Sequence, residues 1–427
     1  MIGASTPNRR LTSRLRRVWL LSLLVLIALA AVHVASQARA TRTSAAAGYA
    51  QECPDAYPGH SDPGNPLMLA RAPGGDPLGG ARFFVNGPRH GAAAGAIATL
   101  LGQAPENYPD NYSWAQLKQD LDHGAFTQRL RADSRLRHEV RLLEKIADQP
   151  EEQRFSLYSA GGGPGAVFSQ VQKLYCYTMS ADPGAVPIIT TFFLYQAGYC
   201  ETRQQILANR PRFERQVDEM AAAIGRRPAV LLLELDAIGS SSCMARNGAL
   251  SEWESDIAYE IRAVAGLPHT VAYVEGGYSD ANDPRYTARA LNAVGINRIR
   301  GFFTNDTHNQ WTINEIRWAD RVSRLTHGAR IVVNTATNGR GPLLNPHPAT
   351  QGVEDLCNAP GRGLGPRPTA NTGFRNVDAF LWSGVPGNSA GSCRGGTAAG
   401  TFWLARAVAM ASRAQGKIGP GYPSLPY

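Results

Sequence analysis

The stretch Pro228–Gly239, PAVLLLELDAIG, decides how this chain is interpreted. An apolar run leads directly into Asp236, and small residues follow as far as Ser242. A short continuous apolar run of this kind is typical of a strand buried on both faces in a parallel sheet. The carboxyl end of such a strand is where α/β proteins place their chemistry. Asp236 is therefore a candidate proton donor, and a structural aspartate that caps the next loop is equally compatible with the pattern.

Apolar runs and helical spacings alternate along most of the chain. Leu136, Val140, Leu143 and Ala147 have helical spacing, as do the apolar residues of segment 213–224 before Gly225. Strands alternating with helices predict βα units around a parallel sheet, and no sequence repeat divides the chain further. The predicted strands are Ala81–Val85, Pro187–Tyr195, Ala229–Leu235, Thr270–Val274, Ile299–Thr304, Ile331–Asn334 and Ala379–Trp382.

Residues 1–40 are predicted to be a signal peptide or an N-terminal anchor, and residues 41–52 a small, polar linker. Five arginines precede the apolar segment 18–34, and Ala38-Arg39-Ala40 fits a small-x-small cleavage site. We therefore expect a secreted or extracytoplasmic protein. Without cleavage, residues 18–34 would tether the protein to the membrane. Residues 53–427 are predicted to form a single domain, and we expect a monomer.

Charge and cysteine content exclude several classes of partner and cofactor. The basic excess lies in residues 1–40, which hold six of the 43 Lys and Arg residues and none of the 34 acidic ones. No basic patch interleaved with aromatic residues remains, so nucleic acid is not an expected partner. Six cysteines in an exported protein favour disulfides. The chain has no CxxC pair, HExxH, P-loop or Rossmann fingerprint, so neither a metal nor a cofactor is expected.

Several short motifs follow one another in a characteristic order. They are Glu234-Leu235-Asp236, Tyr273–Gly277 (YVEGG), Asn334–Gly339 (NTATNG), Pro368–Gly373 (PTANTG) and Asp378–Trp382. In this order they resemble the motifs E-P-D, Y-L-D-A-G, D-T-S-R-N-G, P-(S/T)-x-N-T-G and D-x-x-x-W of glycoside hydrolase family 6, the inverting cellulases. The resemblance implies that residues 53–427 are a catalytic domain. Its fold would be a distorted, seven-stranded parallel β/α barrel with a substrate groove across the strand ends.

The resemblance also implies covalent links and a substrate class. It implies disulfides between Cys200 and Cys243 and between Cys357 and Cys393, which leaves Cys53 and Cys176 as a third pair. The implied partner is a polysaccharide or oligosaccharide, either a β-1,4-glucan or a related envelope or capsule glycan. The implied activity is hydrolysis of O-glycosyl bonds with inversion.

An inverting hydrolase needs an acid for the departing oxygen and a means of deprotonating water. By the resemblance Asp236 is the acid, Glu275 replaces the aspartate of Y-L-D-A-G, and Tyr199 replaces an aspartate before the first active-site cysteine. We take these three as the catalytic candidates. The family has its usual base in the motif K-P-P-G-E-S-D-G, and Ala390 occupies the position of that base in this chain. Gly384 occupies the position of the motif's lysine. The base is left unassigned, with three loop carboxylates as alternatives: Asp280, Asp283 and Asp306.

Polar and aromatic residues of the strand-end loops and the closing motifs are candidates for sugar contacts. They are Asn305, His308, Trp311, Arg367, Asn371, Trp382 and Asn388. Leu356 replaces the tryptophan that the family has beside the later cysteine pair. Because indole faces stack on glucose, this replacement argues against crystalline cellulose as the substrate.

Two other functions stay open from the sequence. The first is a catalytically inactive glycan-binding protein on the same barrel. The second is a serine hydrolase, because Gly387–Gly391, GNSAG, matches the G-x-S-x-G nucleophile elbow. That elbow needs a strand before it and a helix after it, whereas Val385-Pro386 and Gly395-Gly396 are typical of loops.

Overall fold

The structure of the protein is a computed structural model that describes residues 76–157, 159–194, 200–344 and 355–425. These residues belong to one of the two units into which the chain divides, Gln51–Tyr427. The predicted signal, the linker, Cys53 and Tyr199 lie outside the described residues. In the described ranges, no helix combines the length and the apolar character that crossing a membrane requires. The tether at residues 18–34 therefore stays a prediction.

Seven parallel strands form one sheet, in the same order as they occur in the chain. They are β1 (Gln153–Ser156), β2 (Ile188–Phe192), β3 (Ala229–Leu233), β4 (Thr270–Glu275), β5 (Gly301–Thr304), β6 (Arg330–Asn334) and β7 (Val377–Leu381). The parallel pairs put all seven carboxyl ends at one edge of the sheet. This confirms the predicted distorted seven-stranded β/α barrel. Across the seam between β1 and β7, the Arg154 guanidinium donates to the Ser383 carbonyl oxygen at 3.0 Å.

Helices connect successive strands and cover the sheet. The described α-helices are α1 (Ala92–Leu100), α2 (Trp114–Asp122), α3 (Thr127–Ala132), α4 (Ser134–Ala147), α5 (Ala166–Ala181), α6 (Arg203–Ile224), α7 (Ser241–Arg246), α8 (Leu250–Val264), α9 (Pro284–Val294), α10 (Thr312–Leu325) and α11 (Leu404–Ser412). The helix predicted from the spacing in 213–224 is α6, which ends at Gly225 as expected. It begins at a capping box in which the Thr202 hydroxyl accepts from the Gln205 backbone N–H. The capping box thus satisfies a backbone N–H group that has no acceptor within the helix.

Two apolar clusters hold the sheet and its helices together. Alternate strand residues, among them Leu232, Tyr273 and Phe303, fill the inside of the curved sheet. Every residue of β3 is buried, as its continuous apolar run predicts for a strand covered on both faces. The second cluster joins residues of α1, α4 and α11 to the fully buried Trp382, just past the end of β7.

The first predicted strand is wrong, and one real strand was missed. Ala81–Val85 forms only an isolated bridge, between Phe83 and Val186 just before β2. Farther along the same edge of β2 the partner is β1, with Gln153 opposite Ile189. The sequence QRFS of β1 lacks an apolar run because it is an edge strand, in which only Phe155 is buried. The predicted and observed strands therefore agree in number but not in identity.

Candidate active site

Polar side chains gather where the parallel strands end, and Asp236 is at their centre. Because β3, β4 and β5 are neighbours in register, the loops that follow them lie side by side. The loop after β3 carries Asp236, the loop after β4 carries Tyr278, and the loop after β5 carries Thr307. The Tyr278 hydroxyl donates to Asp236 Oδ1, and Thr307 Oγ1 lies 3.1 Å from both that oxygen and the Tyr278 hydroxyl.

The backbone is strained at these strand ends. Glu234, Asp236 and Asn305 have positive φ angles of 53°, 58° and 66°, in the left-handed region that side chains with a Cβ rarely adopt. Such positions cost roughly 1–3 kcal/mol each and are concentrated at functional sites. The turn at Glu234 also explains why β3 ends at Leu233, two residues before its predicted end.

Glu275 ends β4 and is fully buried. Its Oε2 accepts from the Gly239 backbone N–H at 2.9 Å and its Oε1 accepts from the Gly277 N–H, so it ties the loop after β3 to its own loop. Burial holds the pKa of Glu275 well above its ordinary value, and the negative charge of Asp236 adds to the rise. This catalytic candidate is therefore a buried link between the two loops, close enough to Asp236 to feel its charge.

Asp306 follows β5 and is a second acidic group beside Asp236. Its Oδ1 accepts from Ser383 Oγ at 2.8 Å, and its backbone carbonyl accepts from Asn334 Nδ2 at 2.9 Å. Burial holds the pKa of Asp306 well above its ordinary value, and the negative charge of Asp236 raises it further. The nearby Arg154 and the Ser383 hydroxyl oppose that rise.

His308 contacts this cluster through the ring of Tyr278. The two rings stack with centroids 3.9 Å apart and planes 10° from parallel. The His308 Nδ1 lies 2.9 Å from Asp280 Oδ1, and both side chains are almost completely buried. Because burial and the Asp236 charge raise the pKa of Tyr278, its phenol keeps its proton and remains a donor.

The other predicted sugar contacts that lie near the strand ends differ in accessibility. Asn305 is fully buried, and its side chain bonds the Gln310 backbone and the Asn334 carbonyl, so it shapes the loop from below. Trp311 is partly exposed at the start of α10, with its indole against Gly341. Arg367 and Asn388 are also partly exposed, in segments that flank the end of β7.

Two predicted contacts do not belong to the site. Trp382 is completely buried in the second apolar cluster, and its indole N–H donates to the Pro366 carbonyl, so its ring presents no face to a sugar. Asn371 lies at the opposite edge of the sheet. Its neighbour Thr372 donates to the carbonyl of Val377, the first residue of β7, whereas Asp236 lies beyond the last residue of β3. Tyr199 lies outside the described residues, so its role stays a prediction.

The closing loop after β7 does not form a nucleophile elbow. Ser389 is buried, and its hydroxyl donates to backbone carbonyls, that of Thr397 lying at 2.9 Å. A single 3-10 turn, Cys393–Gly395, follows it in place of a helix. The structure therefore gives no support to the serine hydrolase. Ala390, at the position of the family's usual base, presents an exposed methyl group.

Two disulfides brace these loops, as the resemblance implied. Cys200 is bonded to Cys243 and Cys357 to Cys393, with Cα separations of 5.3 and 6.2 Å. The third predicted pair includes Cys53, outside the described residues. Among the described residues, no group of three His, Cys, Asp or Glu side chains is arranged to hold a metal ion.

Sequence reasoning missed four polar residues of this site: Arg154, Tyr278, Thr307 and Ser383. Tyr278 and Thr307 follow strands that were predicted, so strand-end position was a usable signal for both. Ser383 directly follows the predicted strand 379–382 and carried the same signal. Arg154 carried none, because β1 itself was missed.

Comparison with known proteins is consistent with this geometry. The family model for glycosyl hydrolases family 6 matches residues 197–414. Endoglucanase 1 from Streptomyces sp. (strain KSM-9) is 30% identical over 277 residues, which are 63% of this chain and 71% of that protein. Endoglucanase A from Cellulomonas fimi is 27% identical over 274 residues, 64% of this chain, and the match spans only 56% of that relative. The solved structure of endoglucanase Cel6 from Mycobacterium tuberculosis, in complex with a thio-linked cellobioside, has a TM-score of 0.62 at 25% identity, covering 79% of this chain and 99% of that one.

Proposed function

Because this chain belongs to glycosyl hydrolases family 6, we propose that it is a secreted glycosidase that hydrolyses a polysaccharide with inversion of configuration. The observation that carries the proposal is the placement of Asp236 at the carboxyl end of β3, partly exposed and held by two hydroxyl groups. The names of the relatives, endoglucanase A and endoglucanase 1, favour a glucan as substrate, and the resemblance to the family favours the β-1,4 linkage. A related envelope or capsule glycan is the second choice, since Leu356 stands where the family has a stacking tryptophan.

In the proposed reaction Asp236 is the general acid. The described hydrogen bonds engage its Oδ1, which leaves Oδ2 to carry the proton to the departing glycosidic oxygen. Glu275 acts as a positioning residue, because its buried carboxyl group holds the backbone of Gly239 and Gly277 on either side of the acid. Trp311, Arg367 and Asn388 are the partly exposed candidates for sugar contacts.

Loss of activity in Asp236→Asn tests the acid directly. Wild type and variant are assayed on a panel of plant and bacterial polysaccharides by release of reducing ends. We expect the variant to lose about 10²–10⁴-fold in rate, the usual contribution of a general acid. Its affinity for the same glycans, measured by affinity electrophoresis, should stay within about threefold of wild type because the replacement is isosteric.

A glycan-binding protein without catalysis gives the opposite pattern. It would bind a soluble glycan of the panel, release no reducing ends, and show no difference between wild type and Asp236→Asn. The exposed methyl of Ala390 at the usual base position is the observation that keeps this second candidate in the test.

Secretion is part of the proposal and rests on the arginine-rich, apolar segment of residues 1–40. N-terminal sequencing of the exported protein should find a chain that starts after Ala40. An intact N-terminus in the membrane fraction would favour the tether at residues 18–34 instead.

A further inference from the structure

The open question in the proposed reaction is which group deprotonates water, since Ala390 cannot. We propose that Asp306 is the catalytic base: it takes a proton from the attacking water while Asp236 protonates the departing oxygen. This inference rests on the proposed function and names the second carboxyl group of the same site. Of the three loop carboxylates that the sequence left open, the structure gives the other two different tasks. Asp283 caps α9 at the surface, and Asp280 is paired with His308.

The position of Asp306 is fixed by its neighbours in the chain and in space. The hydroxyl of the next residue, Thr307, lies 3.1 Å from Asp236 Oδ1, so one short loop contacts the acid and carries the base. Asn334 at the end of β6 donates to the carbonyl oxygens of both Asn305 and Asp306, at 2.9 Å each. The loop is therefore anchored on the neighbouring strand β6.

One oxygen of the Asp306 carboxyl group is engaged and the other is not. Ser383 Oγ donates to Oδ1 at 2.8 Å, which orients the group. Oδ2 is buried and finds no hydrogen-bond partner among the described residues, and the residue as a whole is only 8% exposed. A buried carboxylate oxygen without a partner is costly and rare, so Oδ2 is the oxygen of Asp306 that is left to accept a proton.

Arg154, which is ion-paired with Glu152, places a positive charge beside Asp306 that favours its ionised form, whereas the charge of Glu152 opposes it. Arg154 donates to the carbonyl of Ser383, the residue whose hydroxyl bonds Asp306. The guanidinium also reaches the chain at Gly384, where a Cβ would lie 4.0 Å from its Nη2. Gly384 stands where the family motif has its lysine, so Arg154 on β1 supplies a cation from the other side of the seam.

In the reactive arrangement the acid carries the proton and Asp306 is ionised. Burial and the Asp236 charge raise the pKa of Asp306, whereas Arg154 and the Ser383 hydroxyl lower it. The water oxygen bonds to the anomeric carbon and gives a proton to Asp306, the carbon–oxygen bond breaks, and Asp236 protonates the departing oxygen.

A substrate whose leaving group needs no acid separates the two roles. β-Cellobiosyl fluoride releases fluoride without protonation, so its hydrolysis requires the base but not the acid. Asp236→Asn should therefore lose about 10²–10⁴-fold on the polysaccharide and keep most of its rate on the fluoride. Asp306→Asn should lose about 10²–10⁴-fold on both substrates. In Asp306→Gly, sodium azide should restore turnover of the fluoride and give α-cellobiosyl azide, because azide needs no deprotonation.

Asp283→Asn is the matched control, since it makes the same acid-to-amide change in the preceding strand-end loop and asparagine also caps helices. Thermal unfolding of each variant checks folding. If the wild type is active and Asp306→Asn keeps more than a tenth of the wild-type rate on the fluoride, this inference is overturned and the proposed function is not. A loss that azide leaves unchanged in a folded Asp306→Gly would also overturn it and assign Asp306 a structural role. A wild type inactive on the polysaccharides and the fluoride alike would remove the proposed function, and this inference with it.

Discussion

At the scale of single residues, the site depends on hydroxyl groups that hold one carboxyl group. Asp236 has a positive φ and is partly exposed, so the orientation of its side chain is set by hydrogen bonds and not by a regular strand. Tyr278 supplies the main contact, and His308 supports the ring of Tyr278 by stacking on it. Because catalysis falls steeply when a reacting group is misplaced by even 1 Å, the tyrosine hydroxyl is expected to matter although it takes no part in bond breaking.

Replacing Tyr278 with phenylalanine tests this residue. The ring and its stacking remain, but the hydrogen bond to Asp236 is lost, so we expect kcat to fall roughly 10- to 100-fold with little change in KM. Steady-state kinetics on the best polysaccharide measures both constants. Tyr286→Phe is the matched control, because the hydroxyl of Tyr286 has no hydrogen-bond partner among the described residues. Equal kinetics for the two variants would show that Tyr278 does not position the acid.

At the scale of elements, two buried carboxyl groups, one just after β3 and one on the helix α8, interact electrostatically. Glu234 follows β3, and its two oxygens accept from the backbone N–H groups of Phe193 and Leu194 after β2. Glu260 lies on α8 and is only 1% exposed. Burial raises the pKa of both groups, and the charge of Glu234 raises that of Glu260 further. The pair therefore retains protons in the folded protein that the unfolded chain releases.

The pH dependence of stability should reveal this pair. Since both pKa values are raised by folding, the stability from bound protons is complete below about pH 4.3 and is lost as pH rises, by at most about 1.4 kcal/mol per pH unit for each proton. Glu260→Gln removes one titrating group, so its melting temperature should fall less than that of wild type between pH 5 and pH 8. Glu139→Gln, at a partly exposed position on α4, is the control. Parallel melting curves for wild type and Glu260→Gln would contradict the prediction.

Sequence patterns were sufficient to predict some strands but not others. An apolar run identifies a central strand, because such a strand is covered on both faces, and β3 was found in this way. The edge strand β1 has only Phe155 buried, and its QRFS sequence gave no signal. The apolar Ala81–Val85 looked more like a strand, yet it pairs with the chain only near Val186.

At the scale of the whole molecule, the order of motifs identified the barrel and the edge that carries the site. Strand-end position then located Asp236, Glu275 and His308. It could not reveal that Trp382 turns into a core or that Asn371 lies at the far edge of the sheet, because both depend on packing of distant segments. The seam between β1 and β7 was equally hidden, since Arg154 and Ser383 meet there across 229 positions of sequence.

The stereochemistry of the first product reports whether Asp236 acts as the acid of an inverting reaction. If Asp236 protonates the departing oxygen while water attacks the opposite face, each hydrolysed β-linkage yields an α-anomer at the new reducing end. Proton NMR during the first minutes of hydrolysis of a soluble β-1,4-glucan, before the anomers equilibrate, distinguishes the two products. We expect the α-anomer first, with the signal absent in Asp236→Asn. Initial release of the β-anomer, or an undiminished signal in that variant, would contradict this expectation.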